Sequence, residues 1–192
     1  MISNISKRIV KWLLDAGAIS QNQEELFSYA TYMLLFNMAP LFLVIVLGAM
    51  FGLVKEGIVM LIPFLTIRKF SGGFHLQSPK SCICLSVLLL SGSLWLAKSV
   101  VDNNWSVSFS ILGCLAAIQI FCVSPIDSAS RRLTEKEQQA FRIIARYILL
   151  FFVLLYLILG LLHLFFLAAF IGMGIVITGL LQVPCFFMHR EH

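Results

Sequence analysis

Charged residues are scarce in this chain. They make up 12% of its 192 residues, whereas 60% of the residues are hydrophobic and the mean hydropathy is +0.96. A soluble domain of this size carries about 25% charged residues, and it could not hide so much apolar surface from water. The scarcity of charge therefore excludes an ordinary soluble domain and indicates that a lipid bilayer surrounds most of the chain.

Several chemical motifs are also missing. The five cysteines form no C-x-x-C pair and the four histidines form no H-E-x-x-H, so no set of metal ligands has the usual spacing. No G-x-x-x-x-G-K-[ST] and no G-x-S-x-G occurs, which removes the usual nucleotide site and the α/β-hydrolase nucleophile. We therefore expect no metal and no other cofactor. No cleavable signal sequence is expected either, because Asp15, Glu24 and Glu25 interrupt the first apolar stretch.

Long apolar segments predict an all-α, polytopic integral membrane protein. A span needs ~20 apolar residues, and the candidate segments are 30–53, 57–67, 82–101, 107–123, 147–162 and 164–187. The segment 57–67 is short and contains Pro63, so it is expected to bend or to cross with help from its neighbours. The run 147–187 is too long for one span, and Gly160 and His163 mark a turn within it. Six spans are predicted, with five as the alternative.

The net charge of +5 has a topological explanation. Of the 14 Lys and Arg residues, only Lys55 and Lys98 fall on the outer side of these spans, and the other twelve fall on the inner side. This positive-inside bias predicts that both termini and the most polar connections are cytoplasmic. Nucleic-acid binding is therefore not needed to explain the basic composition, and none is expected.

Two polar segments flank the spans within a predicted single domain, 1–192. In the N-terminal segment 1–28, residues 2–19 place apolar side chains at helical spacing with basic ones between them, which predicts an amphipathic helix on the inner membrane surface. The segment 124–146 is a basic cytoplasmic loop. Its charges suit either solvation or contact with an acidic substrate segment or lipid headgroups. A capping box, Thr134 to Glu137, predicts a helix start that leads into the fifth span.

The segment 68–81 gathers the residues best suited to chemistry. Its sequence, R-K-F-S-G-G-F-H-L-Q-S-P-K-S, runs directly into Cys82. Ser78-Pro79 is typical of a helix start. Cys82 should therefore lie in about the first turn of the third span, where the positive end of the helix dipole favours the thiolate. Cys84 lies about 200° further around that helix and is expected to pack against the protein.

His75 is the candidate base for the Cys82 thiol. In a continuous helix the two would be about 10 Å apart along the axis, beyond hydrogen-bond reach. Pro79 and the paired glycines, Gly72 and Gly73, instead indicate a non-helical stretch that could fold back. The residues alone fit either a catalytic pair or two structural side chains. Small buried thiols are predicted within the apolar runs, at Cys114, Cys122 and Cys185.

The order R-K-F-S-G-G-F-H, followed seven residues later by Cys, resembles the accessory gene regulator B family, the membrane peptidases of bacterial quorum sensing. The residues that match this element position by position are Arg68, Gly72, Gly73, His75 and Cys82. With its length and its spans, the resemblance covers essentially the whole chain.

A second stretch, S-P-I-D-S-A-S-R-R-L, is similar to that family's loop after the fourth span, A-P-x-D-x-x-x-[KR]-P-[IL]. The residues that fit are Pro125, Asp127, Arg131 and Leu133. Arg132 stands where a proline is common, so this match is looser than the first.

The resemblance implies a cysteine endopeptidase of the bacterial cell membrane. It would cleave the C-terminal part of a small amphipathic quorum-sensing precursor peptide, with His75 and Cys82 as the catalytic pair. An acyl-thioester on Cys82 would then be closed by a substrate thiol or hydroxyl to a cyclic thiolactone or lactone. Gly72 and Gly73 are candidate oxyanion donors. Candidates for holding acidic substrate groups are Arg68, Lys69, Arg131 and Arg132. The resemblance also implies a homodimer.

A peptide exporter and a non-catalytic membrane scaffold are the alternative functions. The predicted spans contain almost no charged residues, whereas ion-coupled carriers usually place some at mid-membrane. The enzyme is therefore preferred, although export of the processed peptide by the same protein stays open. A scaffold would tolerate loss of the thiol or the imidazole. A neighbouring reading frame for a short, Cys-containing amphipathic peptide would separate enzyme from exporter.

The charge distribution generates a topology prediction. Reporter fusions or thiol labelling should place residues 68–80, residues 124–146 and both termini in the cytoplasm, because Lys and Arg are retained on that side. Labelling of the His75 segment from outside intact cells would contradict both the topology and the site.

Overall fold

The computed structural model describes residues 2–72, 79–103, 106–126 and 134–188, and all regular secondary structure in these ranges is helical. The helices are α1 (Ile2–Asp15), α2 (Glu24–Phe51), α3 (Val54–Ser71), α4 (Pro79–Asp102), α5 (Ser106–Val123), α6 (Glu135–Leu161) and α7 (Phe165–Met188), with a short 3-10 turn at Gln21–Gln23. The predicted all-α fold class is confirmed.

The chain divides into two compact units, Met1–Leu43 and Val44–His192. In the first unit, α1 is amphipathic as predicted: Val10 is buried, whereas Lys7, Lys11 and Trp12 are exposed. The buried Ser6 hydroxyl donates to the carbonyl oxygen of Ser28 at 2.9 Å, which joins α1 to the start of α2. The placement of α1 on a membrane surface stays a prediction.

The predicted helix at 2–19 is four residues too long, since α1 ends at Asp15. The N–H groups of Ala16 and Ala18 donate to the carbonyl oxygens of Trp12 and Leu13, at 3.0 Å each. The backbone therefore forms a hydrogen-bonded turn after Asp15 instead of continuing the helix. Helix ends are the elements least fixed by apolar periodicity, because the final turn can be completed in several ways.

Within the described residues, four helical stretches are long and apolar enough to cross a membrane: Gln21–Phe51, Ser81–Asp102, Glu135–Leu161 and Phe165–Cys185. Val107–Val123 in α5 is a shorter apolar helix. The predicted segment 57–67 lies inside α3, which continues unbroken through Pro63. The 18 residues of α3 rise about 27 Å, close to the ~30 Å of a bilayer's hydrocarbon core. The fold is thus of membrane type, while six crossings stay a prediction.

α7 is the central helix of the second unit. In the most apolar stretch of 18 residues, 78% of the residues are buried in α7 and 17% in α6. Every residue of the range 168–179 is buried, and α3, α4, α5 and α6 all pack on α7. A helix that is apolar on all sides is typically surrounded by other elements, so α7 has the position that its sequence favours.

Contacts between side chains give the direction of each helix in this bundle. Along α5 and α7, Phe109 lies against Gly172 and Ala116 lies against Gly179, so the two helices run in the same direction. α6 runs in the opposite direction to α5. Late in α6, the Tyr156 hydroxyl is 2.7 Å from the Ser110 hydroxyl near the start of α5. Near the end of α5, Arg146 of α6 reaches the carbonyl of Phe121.

The same comparison shows that α3 also runs parallel to α7. Met60 and Pro63 of α3 approach Gly174 of α7, while Ser71 at the end of α3 meets Gln182 eight residues further along α7. The ends of α3, α5 and α7 therefore lie together, at the end of the bundle where α6 begins.

Two helix termini follow the sequence signals closely. The Thr134 N–H donates to the Glu137 carboxylate at 2.9 Å, and Thr134 Oγ1 accepts from the Glu137 N–H at 3.4 Å, so the predicted capping box starts α6. At the other end, the predicted turn between α6 and α7 contains His163, with φ of 58°. Its N–H donates to the carbonyl oxygen of Gly160 at 3.1 Å.

Close approach of α3 to α7 depends on Gly174. A Cβ there would lie 2.5 Å from the carbonyl oxygen of Met60 and 2.6 Å from Cγ of Pro63. The neighbours are a backbone atom and a rigid ring, so neither can move cheaply. Small residues permit such contacts between helices in membranes, where packing replaces the hydrophobic driving force.

Gly174→Ala should therefore lower the melting temperature of the detergent-solubilised protein. The free energy of unfolding should fall by about 1–3 kcal/mol, as is typical of an overpacked core. Gly113→Ala in α5 is the matched control, because a Cβ at Gly113 would meet nothing within 4 Å. Equal melting temperatures for the two variants would show that α3 and α7 are not in close contact at Gly174.

Candidate active site

The last turn of α3 carries two cations. Arg68 and Lys69 lie there, where positive charge is favoured by the carbonyl end of the helix dipole. The Arg68 side chain is half-buried, and its guanidinium carbon is 5.4 Å from the centroid of the Phe64 ring. Lys69 is exposed, with its Nζ 5.4 Å from the centroid of the Phe70 ring. Arg68 is thus held within the bundle, whereas Lys69 faces outward.

α3 ends where the backbone requires glycine. Gly72 caps the helix with φ of 74° and ψ of −170°, and its N–H donates to the carbonyl oxygen of Arg68 at 3.1 Å. This conformation is essentially restricted to glycine. A Cβ at Gly72 would also collide with the carbonyl oxygen of Ile126. The backbone alone therefore excludes any other residue at this position.

The segment after α5 meets α3 at the same point. The Ile126 N–H donates to the carbonyl oxygen of Ser71 at 3.0 Å. Ser71 and Ser124 are both buried, although each lies at the end of a helix. The described starts of the candidate catalytic loop 68–81 and of the basic segment 124–146 are therefore joined by a hydrogen bond.

Cys82 occupies the fourth position of α4, which begins at Pro79 as the sequence predicts. The Cys82 side chain is half-buried and that of Cys84 is exposed. The expected packing of Cys84 against the protein is therefore wrong. Two residues of helix turn a side chain through about 200°, which carries Cys84 to the outer face of α4. The two thiols have different surroundings, and Cys82 is the one that faces other protein groups.

The guanidinium of Arg68 lies within electrostatic range of the Cys82 thiol on α4 and of Cys185 on α7. Burial lowers the pKa of Arg68, which follows the predicted span 57–67, and the two thiols oppose that shift when ionised. Arginine nevertheless keeps its charge in proteins. The guanidinium is therefore a fixed positive charge within electrostatic range of a thiol that is half-buried in the protein.

The end of α7 contributes two residues that the sequence did not predict for the site, Gln182 and Cys185. Gln182 is completely buried between the ends of α3 and α5. A glutamine within an apolar span is a signal that could have indicated it. No local signal could have indicated Cys185, because its approach to Arg68 depends on how α7 packs against α3.

The predicted burial of the other thiols is wrong at two positions. Cys114 and Cys122 are exposed, and Cys185 is only half-buried. In a membrane-type fold an exposed, apolar helix face can meet lipid, so an apolar run does not by itself imply burial in protein.

Four predicted site residues, Gly73, His75, Arg131 and Arg132, lie outside the described residues. The approach of His75 to Cys82 therefore stays a prediction. Within the described ranges, no three His, Cys, Asp or Glu side chains gather closely enough to hold a metal ion. The described chemistry of the site consists of the Cys82 thiol, the Arg68 cation and the junction of three helix ends.

Comparison with known proteins gives a family. The sequence profile of the family described as Accessory gene regulator B matches residues 6–185. A Clostridium perfringens protein provisionally named AgrB-like protein 2 is 26% identical over 145 residues, which are 72% of this chain and 68% of that protein. A provisionally named AgrB-like protein of Listeria monocytogenes is 26% identical over 113 residues, which are 58% of this chain and 53% of that protein. No solved structure matches the chain.

The profile match includes the element from Arg68 to Cys82, and it covers all of α2 to α6 and most of α7. The family takes part in accessory gene regulator processing, which belongs to quorum sensing. Since the match leaves out little more than the two ends of the sequence, this membrane protein belongs to the accessory gene regulator B family.

Proposed function

We propose that this chain is a cysteine endopeptidase that removes the C-terminal part of a small amphipathic quorum-sensing precursor peptide. The observation that carries the proposal is the half-buried Cys82 in the first turns of α4, beside the fixed charge of Arg68. The family supports the processing role, and the thiol supplies a nucleophile that needs no metal or nucleotide.

In the proposed first step, His75 takes the proton of the Cys82 thiol, and the thiolate attacks the carbonyl carbon of the scissile peptide bond. A tetrahedral oxyanion forms and collapses as the carbon–nitrogen bond breaks. The N-terminal part of the precursor is left as an acyl-thioester on Cys82. The C-terminal part leaves as an amine, which takes the proton back from His75.

In the second step, a thiol within the bound acyl segment attacks the thioester carbonyl. The sulfur–carbon bond to Cys82 breaks, a cyclic thiolactone forms, and Cys82 recovers its proton. A substrate hydroxyl would give a lactone by the same route, and water would give a linear acid. Because thioester exchange keeps the acyl group activated, ring closure to a thiolactone needs no separate energy source.

The described geometry refines the roles proposed for individual residues. The Gly72 N–H already donates to the carbonyl oxygen of Arg68, which leaves Gly73 as the candidate oxyanion donor. Arg68 lies within electrostatic range of Cys82 and is suited to holding an acidic group of the precursor there. Exposed Lys69, together with Arg131 and Arg132, is suited to binding acidic groups of the precursor.

The proposed setting is the inner face of the bacterial cell membrane. The amphipathic α1 and the basic loops suit a precursor that lies partly in the inner leaflet. Both termini are then cytoplasmic, and the enzyme acts as a homodimer, as the family resemblance implies.

The two neighbouring thiols test the proposal. The chain should be co-expressed with a candidate precursor, a short Cys-containing amphipathic peptide, and the fragments measured by mass spectrometry. Cys82→Ala and Cys82→Ser should abolish cleavage, because the nucleophile is lost. Cys84→Ala should retain most of it, because that side chain is on the outer face of α4.

Cleavage must be compared at equal amounts of membrane-inserted protein, since a packing defect can imitate a chemical one. Activity in Cys82→Ala with none in Cys84→Ala would reverse the assignment of the nucleophile. Peptide release that survives loss of either thiol would instead favour the exporter or the scaffold.

The candidate base requires its own test. His75→Gln retains hydrogen bonding but cannot exchange protons near neutral pH, so cleavage should fall by at least ~10²-fold. Iodoacetamide should alkylate Cys82 more slowly in this variant, and the pH at which the alkylation rate rises should be higher. Rates measured against pH in wild type and variant decide the matter. Identical curves would mean that His75 and Cys82 do not interact.

A further inference from the structure

A single glutamine lies at the meeting point of three helix ends. Gln182 of α7 is 0% exposed, in a helix whose other buried positions are almost all apolar. Its Nε2 donates to the hydroxyl oxygen of Ser124 at 3.0 Å and to the carbonyl oxygen of Ser71 at 3.4 Å. One side chain therefore joins the end of α7 to the ends of α3 and α5.

Both partners of Gln182 stand where a candidate functional segment begins. Ser71 directly precedes the Gly72 cap, from which the chain enters 73–78 with His75. Ser124 is the first residue after α5, three positions before the segment 127–133 that carries the arginine pair. The carbonyl oxygen of Ser71 also accepts from the N–H of Ile126 at 3.0 Å, so it is shared between the two connections.

The amide group is poorly suited to a purely stabilising role. Its Oε1 is buried and has no hydrogen-bond partner in the parts of the chain that the structure describes. A buried polar atom without a partner costs about 1–3 kcal/mol. A methionine of similar length would avoid that cost but would lose both hydrogen bonds of Nε2. What the glutamine adds over a methionine is therefore the link between the helix ends.

We propose that Gln182 is a positioning residue: by holding the ends of α3 and α5 together it fixes where the segment with His75 begins, and so affects the approach of His75 to Cys82 that the proposed function requires. Whether Gln182 joins the helix ends does not depend on what the protein does, whereas its effect on Cys82 rests on the proposed function. Two measurements separate these parts.

The first measurement tests the junction without any substrate. The pair Ser71→Cys and Ile126→Cys, in full-length chain without its native cysteines, should crosslink readily under a mild thiol oxidant in membranes, because their backbones are hydrogen-bonded. Adding Gln182→Met should reduce the crosslinking rate about tenfold, the effect of a typical coupling between contacting residues. An unchanged rate would overturn the proposal, whatever the activity shows.

The second measurement tests the consequence at the site. With Cys82 as the single thiol, the rate of alkylation by iodoacetamide is recorded against pH in membranes. Gln182→Met should move the curve toward that of His75→Gln. A curve that stays at the wild-type position while crosslinking falls would show that the junction does not position His75, and would also overturn the proposal.

Two further variants make these results specific. Ser124→Ala removes the hydroxyl partner with a smaller change, so it replaces Gln182→Met if the latter does not insert or fold. Gln119→Met is the matched control: the Gln119 side chain also bonds to α7, at the carbonyl oxygen of Gly179 at 2.9 Å, but not to Ser71 or Ser124. It should leave both measurements unchanged, and an equal effect from it would overturn the special role of Gln182.

A failure of the enzyme proposal can be distinguished from a failure of the junction at Gln182. If wild type and His75→Gln give the same alkylation curve, the catalytic pair of the proposed function fails. In that case Gln182→Met can still slow crosslinking, and the junction would remain as a structural feature without the proposed effect on Cys82.

Discussion

The contact between α3 and α7 determines where the Arg68 cation meets the end of α7. The absence of a side chain at Gly174 lets Met60 and Pro63 touch α7. Positions four and eight residues after Met60 fall on the same side of α3, so the face that begins at this contact continues to Arg68. On α7 the corresponding face continues from Gly174 toward Gln182 and Cys185. A parallel pair of helices thus delivers a cation, a thiol and an amide to one end of the bundle.

Much of the architecture could be predicted because its signals are local. Pro79 starts α4, Thr134 and Glu137 cap α6, and His163 lies in the turn before α7, all as expected. Each of these depends on backbone groups within one turn of the residue concerned. The all-α class follows equally from composition, since paired backbone groups are required wherever water is absent.

The candidate site could be predicted only in part, for a physical reason. The order of Arg68, His75 and Cys82 along the chain indicated candidate residues, but the side chains around Arg68 come from helices distant in sequence. Cys185 reaches it across 117 positions, through packing that no local pattern encodes. The exposure of Cys84 was not predicted either. Helical periodicity gives the angle between two side chains but not which of them faces the protein. Gln182 carried a visible signal, a polar residue in an apolar span, and its meaning became clear only with its partners.

The length of α6 has a consequence for how the protein meets the membrane surface. Its 27 residues rise about 40 Å without a break, whereas a bilayer's hydrocarbon core is ~30 Å thick. Unless the helix is strongly tilted, roughly two turns must stand in the headgroup layer, and its polar first turns, from Glu135 to Arg142, are the part suited to water. Arg146 then lies near the boundary, where its Nε bonds the carbonyl oxygen of Phe121 at 3.3 Å and its guanidinium covers the Phe121 ring at 4.5 Å. A helix of this length that crosses a bilayer begins among the lipid headgroups, so Thr134 and the first turns of α6 would then lie at the membrane surface.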